Sequence, residues 1–239
     1  MAKAPLAGNV KTRLVPPLTP EEAAALNLCF LRDMAENLKS VAETEAATGI
    51  VVYTPAGAEA AFEGVVPDSF KFLAQRGNSL GERLCNASDD LLRAGHSSVC
   101  LINSDSPTLP RSILIQAVHQ LAQGDDKVVL GGADDGGYYL IGLKQTHPHL
   151  FDRISWSTSD VLESTRRRAS EIDLPVELLP TWYDVDNGEY LTRLCAELFV
   201  TQSSNGAYPA RHSRAFLEAI IEKEGMRRIC PELSGRNLS

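Results

Sequence analysis

The chain has no Cys-x-x-Cys pair, and its five cysteines, Cys29, Cys85, Cys100, Cys195 and Cys230, are odd in number and widely spaced. A disulfide frame or a thiolate zinc site is therefore not expected, and reduced thiols in a cytoplasmic protein are. No apolar stretch reaches the roughly 18 residues of a membrane span, and no secretory-type apolar block follows Met1, so no membrane partner is expected. Cations are in deficit: 23 lysines and arginines stand against 31 aspartates and glutamates, a net charge of −8. That balance argues against a nucleic-acid partner, which would draw on excess Lys and Arg, and requires any anionic ligand to find a local basic pocket. The histidines, His96, His119, His147, His149 and His212, share no spacing suggestive of a metal site or triad.

What is present suits a globular enzyme. At 239 residues, 44% hydrophobic and 23% charged, the chain can bury a full core. Helix and strand signals alternate along it. Thr19-Pro20-Glu21-Glu22 offers a cap, a first-turn proline and early acids, and the apolar pattern then runs through Leu26, Phe30, Met34 and Leu38, a helix of about five turns. Strands are expected at Ile50 to Tyr53, Phe70 to Leu73, Val99 to Ile102, Lys127 to Leu130, Tyr138 to Leu143 and Val176 to Leu179. Helices are expected at Ala56 to Phe62, at Ser79 to Ala94 with Leu80, Leu84, Leu91 and Leu92 on the apolar side, and at Pro110 to Gln123, Ser159 to Ser170 and Glu189 to Val200. The class is α/β with a mostly parallel sheet. A polar break, Ser203-Ser204-Asn205-Gly206, separates a domain over 1–200 from a tail over 201–239, in which Arg214 to Lys223 reads as an amphipathic helix packed on the domain or on a second subunit.

The opening segment "AKAPLAGNVKTRL" places Gly8 ahead of Lys11-Thr12-Arg13. It is not the phosphate loop of NTPases, because Val10 stands where that loop needs a second glycine and a β-branched residue resists the positive φ of an anion nest. A turn with Lys3, Lys11 and Arg13 remains, either a solvated basic loop or an anion cradle. In parallel sheets the ligand lies beyond the carboxyl ends of the strands. After Ile102 comes Asn103-Ser104-Asp105-Ser106-Pro107, after Leu130 comes Asp134-Asp135-Gly136-Gly137, and after Leu179 comes Asp184-Val185-Asp186. Any one of these acids serves as a turn or cap residue; three on one edge, near a basic loop, suit a hard cation such as Mg²⁺ or Mn²⁺ together with phosphate oxygens.

"KAPLAGNVKTRLVPPL", "NSDSPTLP", "ADDGGYYLIGL", "ISWSTSDVL" and "DVDN" occur in order over residues 1 to about 200. With them the chain resembles a bacterial family of nucleotide-diphospho-sugar transferase-like glycosyltransferases found near radical-SAM and selenoprotein-associated genes. That family resembles the GT-A fold, a three-layer αβα arrangement shared with the nucleotidyltransferases of cofactor biosynthesis. The resemblance implies that Lys3, Gly8, Lys11, Thr12 and Arg13 hold a nucleotide's phosphates, that Gln75 and Gly77 belong to a base-facing loop, and that Gly136 and Gly137 admit a sugar or acceptor. It implies Asp105 and Asp186 as metal ligands, with Asp184 able to substitute, and Asp105 and Asp135 as catalytic acids. The same residues fit a helix cap at Ser79 and Glu82 and a ligand-free hairpin at 134–137. Trp156 is expected as a half-buried packing residue. Glycosyl transfer from a nucleotide-sugar to a small acceptor, nucleotidyl transfer with release of pyrophosphate, and nucleotide binding without turnover are the three functions in contention, and a homodimer is compatible with each. In the fold so resembled an apolar strand precedes the Lys-Ala-Pro turn and lies between the strands at Ile50 and Val99; this first strand is expected to be missing.

Overall fold

The structure, a computed structural model, describes residues 1–200 and 206–233. Among these residues seven strands form two sheets. β1 (Ala2–Lys3), β2 (Ile50–Thr54) and β3 (Lys71–Ala74) pair in parallel in that order. β4 (Val99–Ile102), β5 (Val128–Ala133), β6 (Tyr138–Leu143) and β7 (Val176–Trp182) form the second sheet in the order β4-β6-β5-β7. Within it β5 and β7 are parallel and β6 runs against both β4 and β5. The antiparallel strand follows from chain length: only four residues separate β5 from β6, enough for a hairpin and too few for a parallel crossover.

Among the described residues there are seven helices: α1 (Pro20–Thr44), α2 (Leu80–Arg93), α3 (Arg111–Ala122), α4 (Val161–Ser170), α5 (Gly188–Phe199), α6 (Arg211–Glu224) and the single turn α7 (Met226–Ile229). Strand alternation sorts them into layers. Leu101, Val128, Leu130, Ile141 and Leu143 face Leu84 and Leu91 of α2 and Ala169 of α4. Val129, Leu140 and Leu179 face Met34 and Val41 of α1 and Ile113, Leu114 and Leu121 of α3. The fold is the expected three-layer αβα arrangement.

Local chemistry explains the element ends. Thr19 and Glu22 form a reciprocal capping box on α1, which runs well past Leu38 to Thr44. Ser79 caps α2, and Leu80, expected on its apolar side, instead lies exposed in the first turn. Over residues 56–62 only a 3₁₀ turn at Glu59–Phe62 forms. β5 continues beyond Leu130 to Ala133, and at Gly131 the Tyr139 ring lies where a Cβ would project, so a larger residue would displace that ring. All five cysteines are free.

The tail packs on the domain. Ala210, Leu217, Ile220, Ile229, Cys230 and Leu233 share one core with Leu14, Leu26, Phe30 and Leu194. Asp33 of α1 accepts bonds from the amides of His212 and Ser213, and Arg228 pairs with Glu22 through both guanidinium nitrogens.

The region of the strand expected to be missing has its own architecture. β1 is a two-residue strand on the edge of β2, with Ala2 opposite Tyr53, and the Met1 ammonium donates to the Ile102 carbonyl of β4 at 2.7 Å. Burial lowers that amine's pKa to about 6, with the Asp105 charge opposing. The two sheets are not paired with one another beside Met1, and a cavity of about 560 Å³ lies there, lined by Leu38, Val51, Phe70, Val99 and Leu101 together with His96, Ser98 and Asn103.

Candidate functional site

The cavity has a mixed lining, with His96, Ser98, Asn103 and Ser104 among its residues, whereas the clustered carboxylates gather at the carboxyl ends of β4, β5 and β7. Three loops are tied together there by backbone bonds. The Val185 amide donates to the Asp105 carbonyl at 2.8 Å, and the Asp134 amide donates to the Trp182 carbonyl at 3.0 Å. These bonds bring Asp105, Asp135, Asp184 and Asp186 into one neighbourhood, the placement that the open-sheet rule leads one to expect.

Lys11 enters the cluster from the opposite end of the sequence. Its backbone is left-handed, at φ 49°. Buried Val10 on one side and Leu14, sunk in the core, on the other fix the turn. The ammonium meets Asp186 Oδ1 at 2.7 Å, the Val185 carbonyl at 2.9 Å and Asp105 Oδ1 at 3.0 Å, and its side chain is only 4% exposed. An ammonium has three N–H donors, so all are engaged. Burial acts to lower the Lys11 pKa, but Asp105 and Asp186 outweigh it and hold the pKa above its ordinary value. Asp184 shows the converse: burial first, then Asp186, Asp135 and Asp105, push its carboxyl up to about 7.

The other residues singled out in the sequence divide into two groups. On the loop that carries Lys11, Arg13 is exposed and makes no ion pair among the described residues. Gly8 sits in an open loop at φ 76°, and Lys3 closes that loop by donating to the Asn9 carbonyl. Thr12 opens the short 3₁₀ turn. Asp135 occupies the tip of the β5–β6 hairpin, its Oδ1 accepting from the Gly137 amide at 2.8 Å. Gly136 is at φ 87°, and a Cβ there would fall on the Ser159 carbonyl, so this glycine lets the hairpin tip lie against the segment leading into α4.

Gln75 and Gly77 are committed to the fold. The Gln75 side-chain amide donates to the carbonyls of Val52 and Ala2, joining β1 to β2. A Cβ on Gly77 would lie 2.7 Å from Glu82 Cβ, and Ser79 and Glu82 cap the start of α2 as a ligand-free reading of that segment expects. Trp156 packs edge-on to Tyr138 and over Gly81, the half-buried placement expected of it.

Sequence reasoning passed over two features. Trp182, Tyr183 and Tyr190 stack in series beside the acids, and Arg193 lies 4.0 Å over the Tyr183 ring while pairing with Asp134. The Trp-Tyr-Asp run ahead of Val185 was the available signal. The second feature is Lys11 itself, whose side chain turns to the acids rather than to open solvent.

Carboxylates from three loops have the hard-oxygen chemistry of an Mg²⁺ or Mn²⁺ site, and the Lys11 ammonium between Asp105 and Asp186 is a cation already standing where such an ion would be ligated. No group of three or more potential ligands among the described residues is arranged around an open metal position.

The three-layer αβα fold carries its acidic cluster and basic loop at the carboxyl ends of its strands, and by similarity to a solved structure the chain is nucleotide-diphospho-sugar transferase-like. The chain belongs to the DUF2064 family, described as an uncharacterized protein conserved in bacteria, whose pattern it matches over residues 37–158. It is similar to a crystal structure of a "putative nucleotide-diphospho-sugar transferase" from Desulfovibrio desulfuricans G20, with 31% identity, 92% of this chain and 93% of that one covered, and a TM-score of 0.80. A crystal structure of 4-diphosphocytidyl-2C-methyl-D-erythritol synthase aligns over 77% of this chain and 89% of its own at 14% identity and a TM-score of 0.39, too slight a likeness to bear on fold or activity. No curated protein matches the chain. Among the described residues no helix is long and apolar enough to cross a membrane.

Proposed function

We propose that this protein is a metal-dependent transferase that takes a glycosyl group from a nucleotide-sugar and passes it to a small acceptor. The observation that carries this reading is the meeting of Lys11 with Asp105 and Asp186, which puts the basic loop after β1 against the acidic loops after β4 and β7. The similar Desulfovibrio protein, described as a "putative nucleotide-diphospho-sugar transferase", supports the same class.

In this reading Asp105 and Asp186 hold Mg²⁺ or Mn²⁺, which would offset charge on the departing diphosphate. Arg13, exposed on the loop after β1, pairs with phosphate oxygens, and Gly8 lets the backbone approach them closely. Asp135, held at the hairpin tip by the Gly137 amide, faces the acceptor and takes the proton of its hydroxyl as that oxygen attacks the sugar. The Tyr190 ring beside the acids offers a flat apolar surface to the acceptor.

Incubation with a panel of nucleotide-sugars and nucleoside triphosphates plus Mn²⁺, with products followed by mass spectrometry, tests the reading. Release of a nucleoside diphosphate is expected. Release of pyrophosphate instead would assign nucleotidyl transfer, and nucleotide binding that persists without metal and without turnover would leave a binding protein.

A further inference from the structure

The sequence places Lys11 among the phosphate ligands, yet its ammonium has no donor left to offer. Asp186, Asp105 and the Val185 carbonyl take all three, and the Phe30 ring closes over it with the ammonium 5.6 Å from the ring centre. We propose that Lys11 is a built-in counter-ion that a divalent metal must displace, so that the metal enters together with the nucleotide and not ahead of it. The proposal rests on the reading of Asp105 and Asp186 as metal ligands.

Electrostatics sets the two cations in competition for the same carboxylate oxygens. A dication ligated by Asp105 Oδ1 and Asp186 Oδ1 would stand within a few ångströms of Nζ, where like charges repel strongly in a site screened from water. Without Lys11 the opposite problem arises: Asp105 and Asp186, whose carboxylates lie 3.0 Å and 2.7 Å from one ammonium, would face each other with no counter-charge. Lys11 thus stabilises the metal-free site and weakens its affinity for the metal by the same contacts.

A diphosphate removes the obstacle by giving the ammonium another anion. Lys11 lies at the end of an open loop in which Gly8 has a left-handed backbone with open space where a side chain would project, and Lys3 and Arg13 on the same loop are exposed. Phosphate oxygens arriving at that loop offer Lys11 new acceptors as the metal takes over the carboxylates. The coupling is reciprocal, so the metal must raise nucleotide affinity by the same factor as the nucleotide raises metal affinity.

The test measures Mn²⁺ binding through loss of the free-ion paramagnetic resonance signal, in wild type and Lys11→Met, with and without ADP, CDP, GDP or UDP. Without nucleotide, Lys11→Met should bind Mn²⁺ at least tenfold more tightly than wild type, and one of the diphosphates should narrow that gap to less than threefold. Equal nucleotide-free affinities, or no Mn²⁺ binding by either protein, would overturn the proposal. A tighter nucleotide-free site in Lys11→Met with no response to any diphosphate would sink the transferase reading while leaving Lys11 as the counter-ion. If Lys11→Met does not fold, Lys11→Gln, neutral but still able to donate to Asp186, carries the same comparison.

Discussion

Lys11 Nζ lies 2.7 Å from Asp186 Oδ1, although 175 residues separate them along the chain. The contact closes the site by pinning the loop after β1 to the loop after β7, with Asp105 as the third corner at 3.0 Å. From the sequence, crowding among the acids alone would make Asp105→Asn neutral or stabilising. The ion pair reverses that expectation. Asparagine retains an oxygen acceptor but forfeits the charge attraction, while Lys11 keeps Asp186. We expect a loss of roughly 1–2 kcal/mol, between the values for surface and buried pairs, and a melting temperature lower by a few degrees in a calorimetric scan.

Asp184→Asn should do the opposite. Asp184 has no ion pair among the described residues, and Asp186, Asp135 and Asp105 face it along with Lys11. Its folded pKa, raised to about 7, lies above the unfolded value, so the stability linked to its protonated form is fully present below the ordinary carboxylate range and is lost as pH rises through about 7. At pH 8 the variant should melt several degrees above wild type, and at pH 4 the two should converge. A variant that melts lower at pH 8 would show that Asp184 makes a stabilising contact as an anion.

Much of the fold was legible because its signals are local. The capping box at Thr19 and Glu22, the unbroken apolar run Val99 to Ile102 and the cap at Ser79 each act within a few residues. The acidic edge was legible as well, since strand order in an α/β sheet sends Asp105, Asp135 and Asp186 to one end. The direction of the Lys11 side chain was not, because charge balance with residues more than ninety positions away decides it. Gln75 was open to two readings for a related reason: a side-chain amide reads a base edge or bridges two strands with the same donors, and its bonds to the Ala2 and Val52 carbonyls follow from the position of β1 beside β2, which no local signal gives.

The hairpin glycines give a paired test of how the Asp135 loop is held. Gly136 combines φ 87° with a Cβ position on the Ser159 backbone carbonyl, and its own carbonyl accepts from Leu162 in α4. Gly136→Ala must therefore move backbone against backbone, at a conformational cost of about 1–3 kcal/mol before the collision is counted. In Gly137→Ala the new methyl meets only the Asp135 carboxylate, at 3.1 Å, and a side chain can shift. The first variant should melt well below wild type and the second within about two degrees of it. Equal melting temperatures would show that α4 moves away freely from the hairpin.

Asp33 tests whether the tail is separable. Its carboxylate accepts from the His212 and Ser213 amides and the Ser213 hydroxyl, capping the start of α6 where no side chain of α6 itself does so. Asp33→Ala leaves these donors unmet and should cost about 1.5–3 kcal/mol. Deletion after residue 203 should cost more, because it also uncovers Leu14, Leu26 and Phe30 beneath Leu217 and Ile220. Thermal melts of both forms read this directly: a truncated chain as stable as the full one would make the shared core dispensable.

Gln75 separates a structural from a recognition role. Its Nε2 donates to the Val52 carbonyl at 2.9 Å and the Ala2 carbonyl at 3.3 Å, and its own amide binds the Tyr53 carbonyl, so the residue knits β1 onto β2 just before the chain enters the Lys3 to Arg13 loop. Gln75→Glu replaces the donor with a carboxylate that faces two carbonyl oxygens. Lost bonds and repulsion together should lower stability by about 1–3 kcal/mol and loosen the anchor of the basic loop. All nucleotides should then bind more weakly by a similar factor, because the loop would hold phosphates common to every base. A base-reading glutamine would behave differently, with donor and acceptor exchanged toward one base and affinity shifting between ADP, CDP, GDP and UDP. Titration of the four diphosphates against wild type and Gln75→Glu distinguishes the cases: a uniform loss accompanied by a lower melting temperature fits the strand bridge, and a changed order of preference at unchanged melting temperature would restore Gln75 to the nucleotide site.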